Sequence, residues 1–239
     1  AGRTAHRVSM PIECGRITVM VTGRFAPSPT GALHLGNLRT ALLAWLSARS
    51  AGGNFLVRME DLDRITSSRE HAASQLADLA ALGLTHDGEV VFQSERFDRY
   101  HDAIDRLHRS DLLYPCYCSR REIREAAQAP HGAPAHYPGT CRGLSAAQRA
   151  EREADGRTPA LRLRADAVTI AFKDAVLGHV EGLVDDVVVR RNDGVPAYNL
   201  AVVVDDAAQG ITEVVRGDDL ASSTPSQIQL CRLLGLPTP

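Results

Sequence analysis

The 239-residue chain has a single lysine, Lys173, among its 27 Lys and Arg residues, so nearly all of its positive charge is arginine. It also has no positive excess, because 29 acidic residues leave a formal net charge of −2. Such a chain exerts no long-range pull on nucleic acid, and any RNA contact must come from a local patch. No apolar run is long enough to span a bilayer, and Ala1 to Gly15 lack the apolar core of a signal peptide. The five cysteines, Cys14, Cys116, Cys118, Cys141 and Cys231, are odd in number and widely spread, which argues against a disulfide framework. The expected compartment is therefore the cytoplasm, with no membrane partner. A hydrophobic content of 44% and a charged content of 23% are those of a globular protein able to bury a sizeable core.

The most informative stretch that is present runs from Arg24 to Asn37, a loop punctuated by Pro27, Pro29, Gly31 and Gly36. Ahead of it, Ile17, Val19 and Val21 alternate as in a strand; behind it, Leu35, Leu38, Leu42, Trp45 and Leu46 recur at helical spacing. A strand, a tight loop and a helix N-terminus make an anion site, since the first helical N–H groups lack intrahelical partners and carry the positive end of the macrodipole. Gly36 leaves room for close approach, and His34 is placed to donate to a phosphate oxygen as charge develops. The spacing predicts an ATP phosphate cradle.

Gly52-Gly53-Asn54 predicts a turn into a buried strand, Phe55 to Glu60, completing a βαβ unit with a parallel sheet. Ser67 or Ser68 with Glu70 starts a second helix carrying Leu76, Leu79 and Leu82, which stops at Gly83. A third helix fits Ser94 to Arg109, with Tyr100, Ile104 and Leu107 facing inward. From Tyr114 to about Asp185 the character changes to clustered cysteines, a Pro/Gly-rich stretch from Ala129 to Gly143, and short β-like runs such as Val168 to Phe172. Alternation then resumes with Asp186 to Arg191, a turn at Asn192-Asp193-Gly194, the apolar segment Tyr198 to Val204, a strand from Ile211 to Arg216, and a helix from Ser226 to Leu234. The expected organisation is a poorly ordered extension over 1–15, a first half of a nucleotide-binding domain over 16–113, an insertion over 114–185, and the second half over 186–239. This split suits an open α/β sheet that binds its ligand where strand order reverses.

Within the insertion, Cys116, Cys118 and Cys141 put three thiols in one loop-rich segment, and a fourth donor would close a tetrahedral zinc site. Imidazole is the generic choice for that donor, nominating His136 or His131. Arg24, Glu60 and Arg216 lie at predicted strand ends, where a parallel sheet would bring them to one edge. Taken singly, each also reads as a solvated or ion-paired surface charge. Arg120, Arg121 and Arg124 read equally as a solvated helix face or an RNA-contact patch.

His34-Leu35-Gly36-Asn37 is similar to the HIGH signature of class I aminoacyl-tRNA synthetases, and Arg24-Phe25-Ala26-Pro27-Ser28-Pro29-Thr30-Gly31 resembles their glutamyl and glutaminyl branch. Met59 to Asp63, Ala197 to Ala201 and Val215 to Leu220 also resemble that branch, and the resemblance runs from Gly23 to Pro239. It implies an α/β fold, a class I synthetase Rossmann-like parallel sheet split by a zinc-bearing α+β insertion. His34 and Asn37 are implied as catalytic, and with Gly36 as the contacts to ATP, which enters with Mg²⁺. L-Glutamate is implied to bind Arg24, Phe25, Ala26, Pro27, Ser28, Glu60, Tyr198 and Arg216, with Glu60 suited to its ammonium and Arg216 to a carboxylate. Asp61 and Asp63 read as surface caps or ion-pair partners rather than magnesium ligands.

Tyr137, four positions before Cys141, matches the zinc pattern of those branch members that modify the queuosine base of tRNA(Asp). This implies one structural zinc held by Cys116, Cys118, Tyr137 and Cys141, with His136 as the alternative to Tyr137. The implied reaction is glutamate activation to glutamyl-adenylate, then transfer to the queuosine of tRNA(Asp), by a monomer. The alternatives are charging of tRNA(Glu), or a glutamate- and RNA-binding paralogue without adenylation. The last arises because the lysine-bearing KMSKS signature of class I enzymes is absent; the expectation is that the sequence in hand stops before that loop.

Overall fold

A computed structural model describes residues 20–127 and 137–239. The expected extension over 1–15, Ile17, Val19, Cys14, His131 and His136 lie outside the described residues. A three-stranded parallel sheet is formed by β1 (Thr22–Phe25), β2 (Asn54–Met59) and β3 (Val91–Phe92), with β2 in the centre. Thr22 pairs with Asn54 and Phe25 with Val57, so the strands end side by side. The crossover between β1 and β2 is α1 (Leu35–Ser50).

The face α1 turns to the sheet differs from the sequence reading. Ala41, Ala44 and Ala48 are buried, whereas Leu35, Leu42 and Leu46 are 83%, 43% and 48% exposed. Small residues win that face because helix and strand nearly touch: a methyl group on Gly23 would sit 3.3 Å from the Ala48 Cβ. A leucine there would have to push the helix away from the sheet. The second helix, α2 (Arg69–Ala81), is capped by Ser68, whose hydroxyl accepts from the His71 N–H. It stops before Gly83, which has φ +73°, but Leu82 faces water rather than the core.

The third helix starts later than expected, as α3 (Phe97–Arg109), because Gln93–Glu95 form a 3₁₀ turn; Tyr100, Ile104 and Leu107 are buried as the periodicity requires. Next come β4 (Leu113–Cys116), α4 (Arg120–Ala127), α5 (Ala146–Ala154), β5 (Ala160–Leu163), β6 (Thr169–Asp174), β7 (Gly178–Leu183) and β8 (Val188–Arg190). The predicted strand over 186–191 is β8. It pairs antiparallel with β5 in a second sheet of order β4-β5-β8 instead of extending the parallel one. β6 and β7 form an antiparallel hairpin.

The apolar segment from Tyr198 is a helix, α6 (Tyr198–Ala208), and the chain continues to α7 (Thr224–Leu234). The strand predicted over Ile211 to Arg216 is corrected. It runs beside β1, and among the described residues the two backbones meet only at Thr22, where the Thr212 N–H donates to the Thr22 carbonyl and the Thr22 N–H to the Thr212 hydroxyl. No ladder forms, so the segment brings Arg216 to the sheet edge as a loop. Leu200, Val202, Leu230 and Leu234 of α6 and α7 pack on α3 with Leu113, Leu163 and Val189 in one core; β1, β2, α1 and α2 enclose another. The hairpin lies on α7, close enough that a Cβ on Gly182 would come within 2.9 Å of the Pro225 Cγ. Among the described residues, no helix is long and apolar enough to cross a membrane.

Candidate functional site

The β1–α1 loop is tied down along its length. The Pro27 carbonyl accepts from the Glu60 N–H at 2.9 Å and the Pro29 carbonyl from the Ser68 N–H at 3.0 Å. Gln75, only 2% exposed, donates its side-chain amide to the carbonyls of Ser28 and Gly31. At the loop's end, the imidazole Nδ1 of His34 accepts from the N–H groups of Gly36 at 3.0 Å and Asn37 at 3.3 Å, while the Asn37 side chain accepts from the His34 N–H. This capping box alters the expected cradle, since two of the helical N–H groups assigned to a phosphate are taken by His34. Because Nδ1 accepts, the neutral ring carries its proton on Nε2, and His34 is exposed. Imidazole Nε2–H, backed by the helix dipole, therefore becomes the donor presented to an anion. Gly36 serves the ring: a Cβ there would lie 2.9 Å from its Cε1.

Beside this loop, charged side chains gather at the carboxyl ends of β1 and β2. Arg24 is 5% exposed; its Nε lies 3.4 Å from Asp206 Oδ1, and its Nη1 reaches the Val215 carbonyl at 3.4 Å. Glu60, directly after β2, meets Arg58 Nη2 at 3.3 Å. Burial pushes the Glu60 carboxyl above its usual range, against the attraction of Arg58 and Arg24. Arg216 is held by the Gln227 side-chain oxygen at 2.7 Å and the Thr224 hydroxyl at 2.5 Å, and Gln227 is steadied in turn by Asn199 at 3.1 Å. Burial draws the Arg216 guanidinium below its usual value, and hydrogen bonding to Tyr198 works the other way. Tyr198 is shifted upward by burial and by the charge of Glu60, with Arg216 and Arg24 opposing. The predicted residues Arg24, Glu60, Tyr198 and Arg216 thus act on one another electrostatically. Phe25 and Pro27 are buried beneath the loop, and Ser28 lies exposed on it.

Asp61 departs from its expected place on the surface. It is 9% exposed and accepts from the Ser94 N–H at 2.8 Å and the Ser94 hydroxyl at 2.6 Å, which leaves it a structural brace for the 3₁₀ turn. Asp63 is a local cap, accepting from the Ile65 N–H, and that bond holds its carboxyl below the usual range.

Sequence reasoning missed what lies beneath the charges. Arg58 is fully buried, with Asp206 Oδ1 at 2.7 Å and the Gln209 side-chain oxygen at 2.8 Å on its Nη1. The neighbouring Asp205 is also fully buried and accepts from Arg96 at 2.6 Å, Tyr100 at 2.7 Å and Gln93 at 3.0 Å. Burial opposes the Arg58 charge, but Asp206, Glu60 and Asp205 together raise its pKa. The sequence signal was two adjacent aspartates closing an otherwise apolar helical run.

The second constellation joins β4 to the loop before α5. The thiols of Cys116, Cys118 and Cys141 lie within 4.8 Å of one another. The Tyr137 hydroxyl is 3.3 Å from the Cys116 sulfur and 3.7 Å from that of Cys118, and it accepts from the Cys141 N–H at 2.9 Å. Arg162 stacks over the Tyr137 ring at 3.8 Å. Burial pushes the Cys118 thiol up to about 12. For Cys141, bonds from the Tyr117 N–H and its neighbours outweigh burial and hold the thiol lower than usual. Three sulfurs and one phenol oxygen converging from short loops fit a soft divalent metal.

Comparison with known proteins shows the family to which the chain belongs. Residues 20–239 match the family model of tRNA synthetases class I (E and Q), catalytic domain. A glutamyl-Q tRNA(Asp) synthetase of Nocardia farcinica is 61% identical over 222 residues, covering 93% of this chain and 71% of that protein. One from Symbiobacterium thermophilum is 54% identical over 235 residues, covering 92% and 72%. Among solved structures, a glutamate tRNA ligase from Elizabethkingia meningosepticum in complex with its amino acid superposes with a TM-score of 0.78 at 27% identity, over 92% of this chain and 48% of that one. The chain therefore belongs to the class I tRNA synthetases of the E and Q type, alongside the glutamyl-Q tRNA(Asp) synthetases.

Proposed function

We propose that this chain activates L-glutamate with ATP and transfers the glutamyl group to the queuosine base of tRNA(Asp). What supports this most is the gathering of Arg24, Glu60, Tyr198 and Arg216 at the sheet edge beside the His34 loop. Glutamate carries two carboxylates and one ammonium, and the cluster offers two guanidinium forks and one carboxylate to meet them. Arg216 takes a carboxylate and Glu60 the ammonium. The α-carboxylate then attacks the α-phosphorus of ATP, forming the acyl-phosphate bond as pyrophosphate leaves with the electron pair of the broken P–O bond. No protein nucleophile is needed: His34 Nε2–H and the α1 dipole stabilise charge on the phosphate while the arginines hold the attacking group in line. A hydroxyl of the acceptor next attacks the activated carbonyl and AMP departs.

Residues 114–185 form the proposed insertion between the two halves of the nucleotide-binding domain. Cys116, Cys118, Cys141 and Tyr137 would hold one zinc ion there. Four protein ligands leave no open position on such an ion, so it would fix the shape of the segment. The protein works in the cytoplasm as a monomer.

Radiolabelled glutamate and ATP offered with queuosine-bearing tRNA(Asp) and, separately, with tRNA(Glu) test the reading. Label is expected on tRNA(Asp) alone. Label on tRNA(Glu) alone would turn the assignment to an ordinary glutamate–tRNA ligase, and glutamate-dependent binding without ATP–pyrophosphate exchange would leave a binding protein.

A further inference from the structure

We infer that Asp206 is a positioning residue for glutamate activation, holding Arg24 and, through Arg58, Glu60 in their substrate-binding poses with one carboxylate oxygen. The inference rests on the proposed reading of Arg24 and Glu60 as glutamate contacts. Both Arg24 Nε, at 3.4 Å, and Arg58 Nη1, at 2.7 Å, converge on Asp206 Oδ1. Arg58 then spends Nη2 on Glu60 at 3.3 Å, and its Nε, buried and without a hydrogen bond, faces Asp205 at 3.8 Å. The chain of contacts therefore runs from Arg24 through Asp206 and Arg58 to Glu60, with side chains 0–10% exposed throughout. The Glu60 carboxylate has no other hydrogen-bond partner among the described residues.

The charges explain why this oxygen matters more than its neighbours. Arg24 and Arg58 are buried cations, and a buried cation without its counterion recruits whatever acceptor is near. With Asp206 neutral, the nearest remaining carboxylate for Arg58 is Glu60, at 3.3 Å against 3.8 Å for Asp205, and Glu60 also attracts Arg24. Drawn fully onto the two guanidiniums, Glu60 would no longer be offered to an ammonium, and Arg24 would turn away from a substrate carboxylate. Asp205, one residue earlier on α6, lies 3.8 Å from Arg58 Nε but takes its hydrogen bonds from other partners: it accepts from Arg96, Tyr100 and Gln93, tying α6 to α3 and the 3₁₀ turn. Two adjacent buried aspartates thus hold separate tasks, one toward the pocket and one toward the scaffold.

The test is glutamate-dependent ATP–pyrophosphate exchange by the purified protein, with KM measured for glutamate and for ATP. Asp206→Asn is expected to raise KM for glutamate at least tenfold while KM for ATP moves less than twofold. Asp205→Asn should give the smaller rise in KM for glutamate and the larger fall in Tm. The pH profile supplies a readout that a merely structural role would not move. The charged groups facing Glu60 are Arg58 of β2, Arg24 of β1, Asp206 of α6, and Tyr198 at the start of α6. Removing the Asp206 charge takes away a repulsion and frees two cations, so the acid limb of kcat/KM for glutamate should move to lower pH. An unchanged glutamate KM in Asp206→Asn, equal KM effects from the two variants, or an unmoved acid limb would each overturn the inference. If Asp206→Asn does not fold, Gln209→Leu removes the other acceptor on Arg58 Nη1. A glutamate KM raised twofold to fivefold is then expected, and no change counts against the inference. Absence of exchange in the wild-type protein would instead strike the proposed function itself.

Discussion

The sheet-edge cluster and the thiol cluster both gather polar side chains in a crowded space, but they differ in what they lack. At the sheet edge, cations and anions come from the protein itself. Arg58 faces Asp206, Glu60 and Asp205, and Arg216 is held by neutral oxygens, so the geometry exists before any ligand arrives. Among the thiols, Cys116, Cys118, Cys141 and Tyr137 bring only donors of electron pairs, linked by weak contacts of 2.9–3.7 Å. The difference matches the proposed roles: a site that orients an ionic substrate would carry its counterions internally, whereas one that holds a metal would leave the positive charge to the metal.

The sharpest way to break this comparison is Arg216→Ala. Truncating one partner of a desolvated charge pair costs 2–5 kcal/mol or more, so glutamate-dependent ATP–pyrophosphate exchange should fall by about 100-fold or more with Tm nearly unchanged. Near-normal exchange would remove Arg216 from the pocket. Cys118→Ser should show the opposite pattern: metal content by atomic absorption drops from about one zinc per chain to near zero and Tm falls, while the residual exchange per folded molecule exceeds that of Arg216→Ala. Unchanged metal content would strike Cys118 from the ligands. Acid should separate the regions more gently. Glu60 must be ionised to hold an ammonium and its pKa is raised, so kcat/KM for glutamate should fall as pH drops through that raised value, while KM for ATP stays level. The smallest effect belongs to Glu122, next to the thiols, whose pKa is lowered to about 2 by the Ser119 N–H and Arg157. Its folded value lies below its unfolded one, so its contribution is present above about pH 4.5 and is lost as pH falls toward 2. Glu122→Gln should lower Tm by only about 1–2 °C at neutral pH, with the gap closing in acid.

Local rules carried the sequence reading where local structure decided the outcome. The βαβ start, the Ser68 cap, the stop at Gly83 and the inward face of Tyr100, Ile104 and Leu107 follow from propensity and period. They fail where packing distance decides. On α1 the leucines were the obvious core face, yet the approach to Gly23 admits only alanines. The segment Ile211 to Arg216 is as β-prone as any strand in the chain, but among the described residues its backbone bonds to the backbone of β1 at Thr22 alone, too little for a ladder. Among the candidate site residues, Arg24, Glu60, Tyr198 and Arg216 were legible from position and resemblance. Asp205 and Asp206 were not, because nothing local says that an acidic pair will be covered. Their burial is tolerable only with Arg58, Arg96 and Arg24 arriving from elsewhere, and breaking such a pair from one side costs about 3–5 kcal/mol.

Gly182 ties the β6–β7 hairpin to the footing of Arg216 mechanically. With no side chain to spare between the hairpin and Pro225, the β6–β7 ribbon rests directly on the residue that follows Thr224, and Thr224 and Gln227 are the two props of Arg216. Whatever leans on that ribbon leans, one residue on, against the footing of the arginine, so the two share a common foundation.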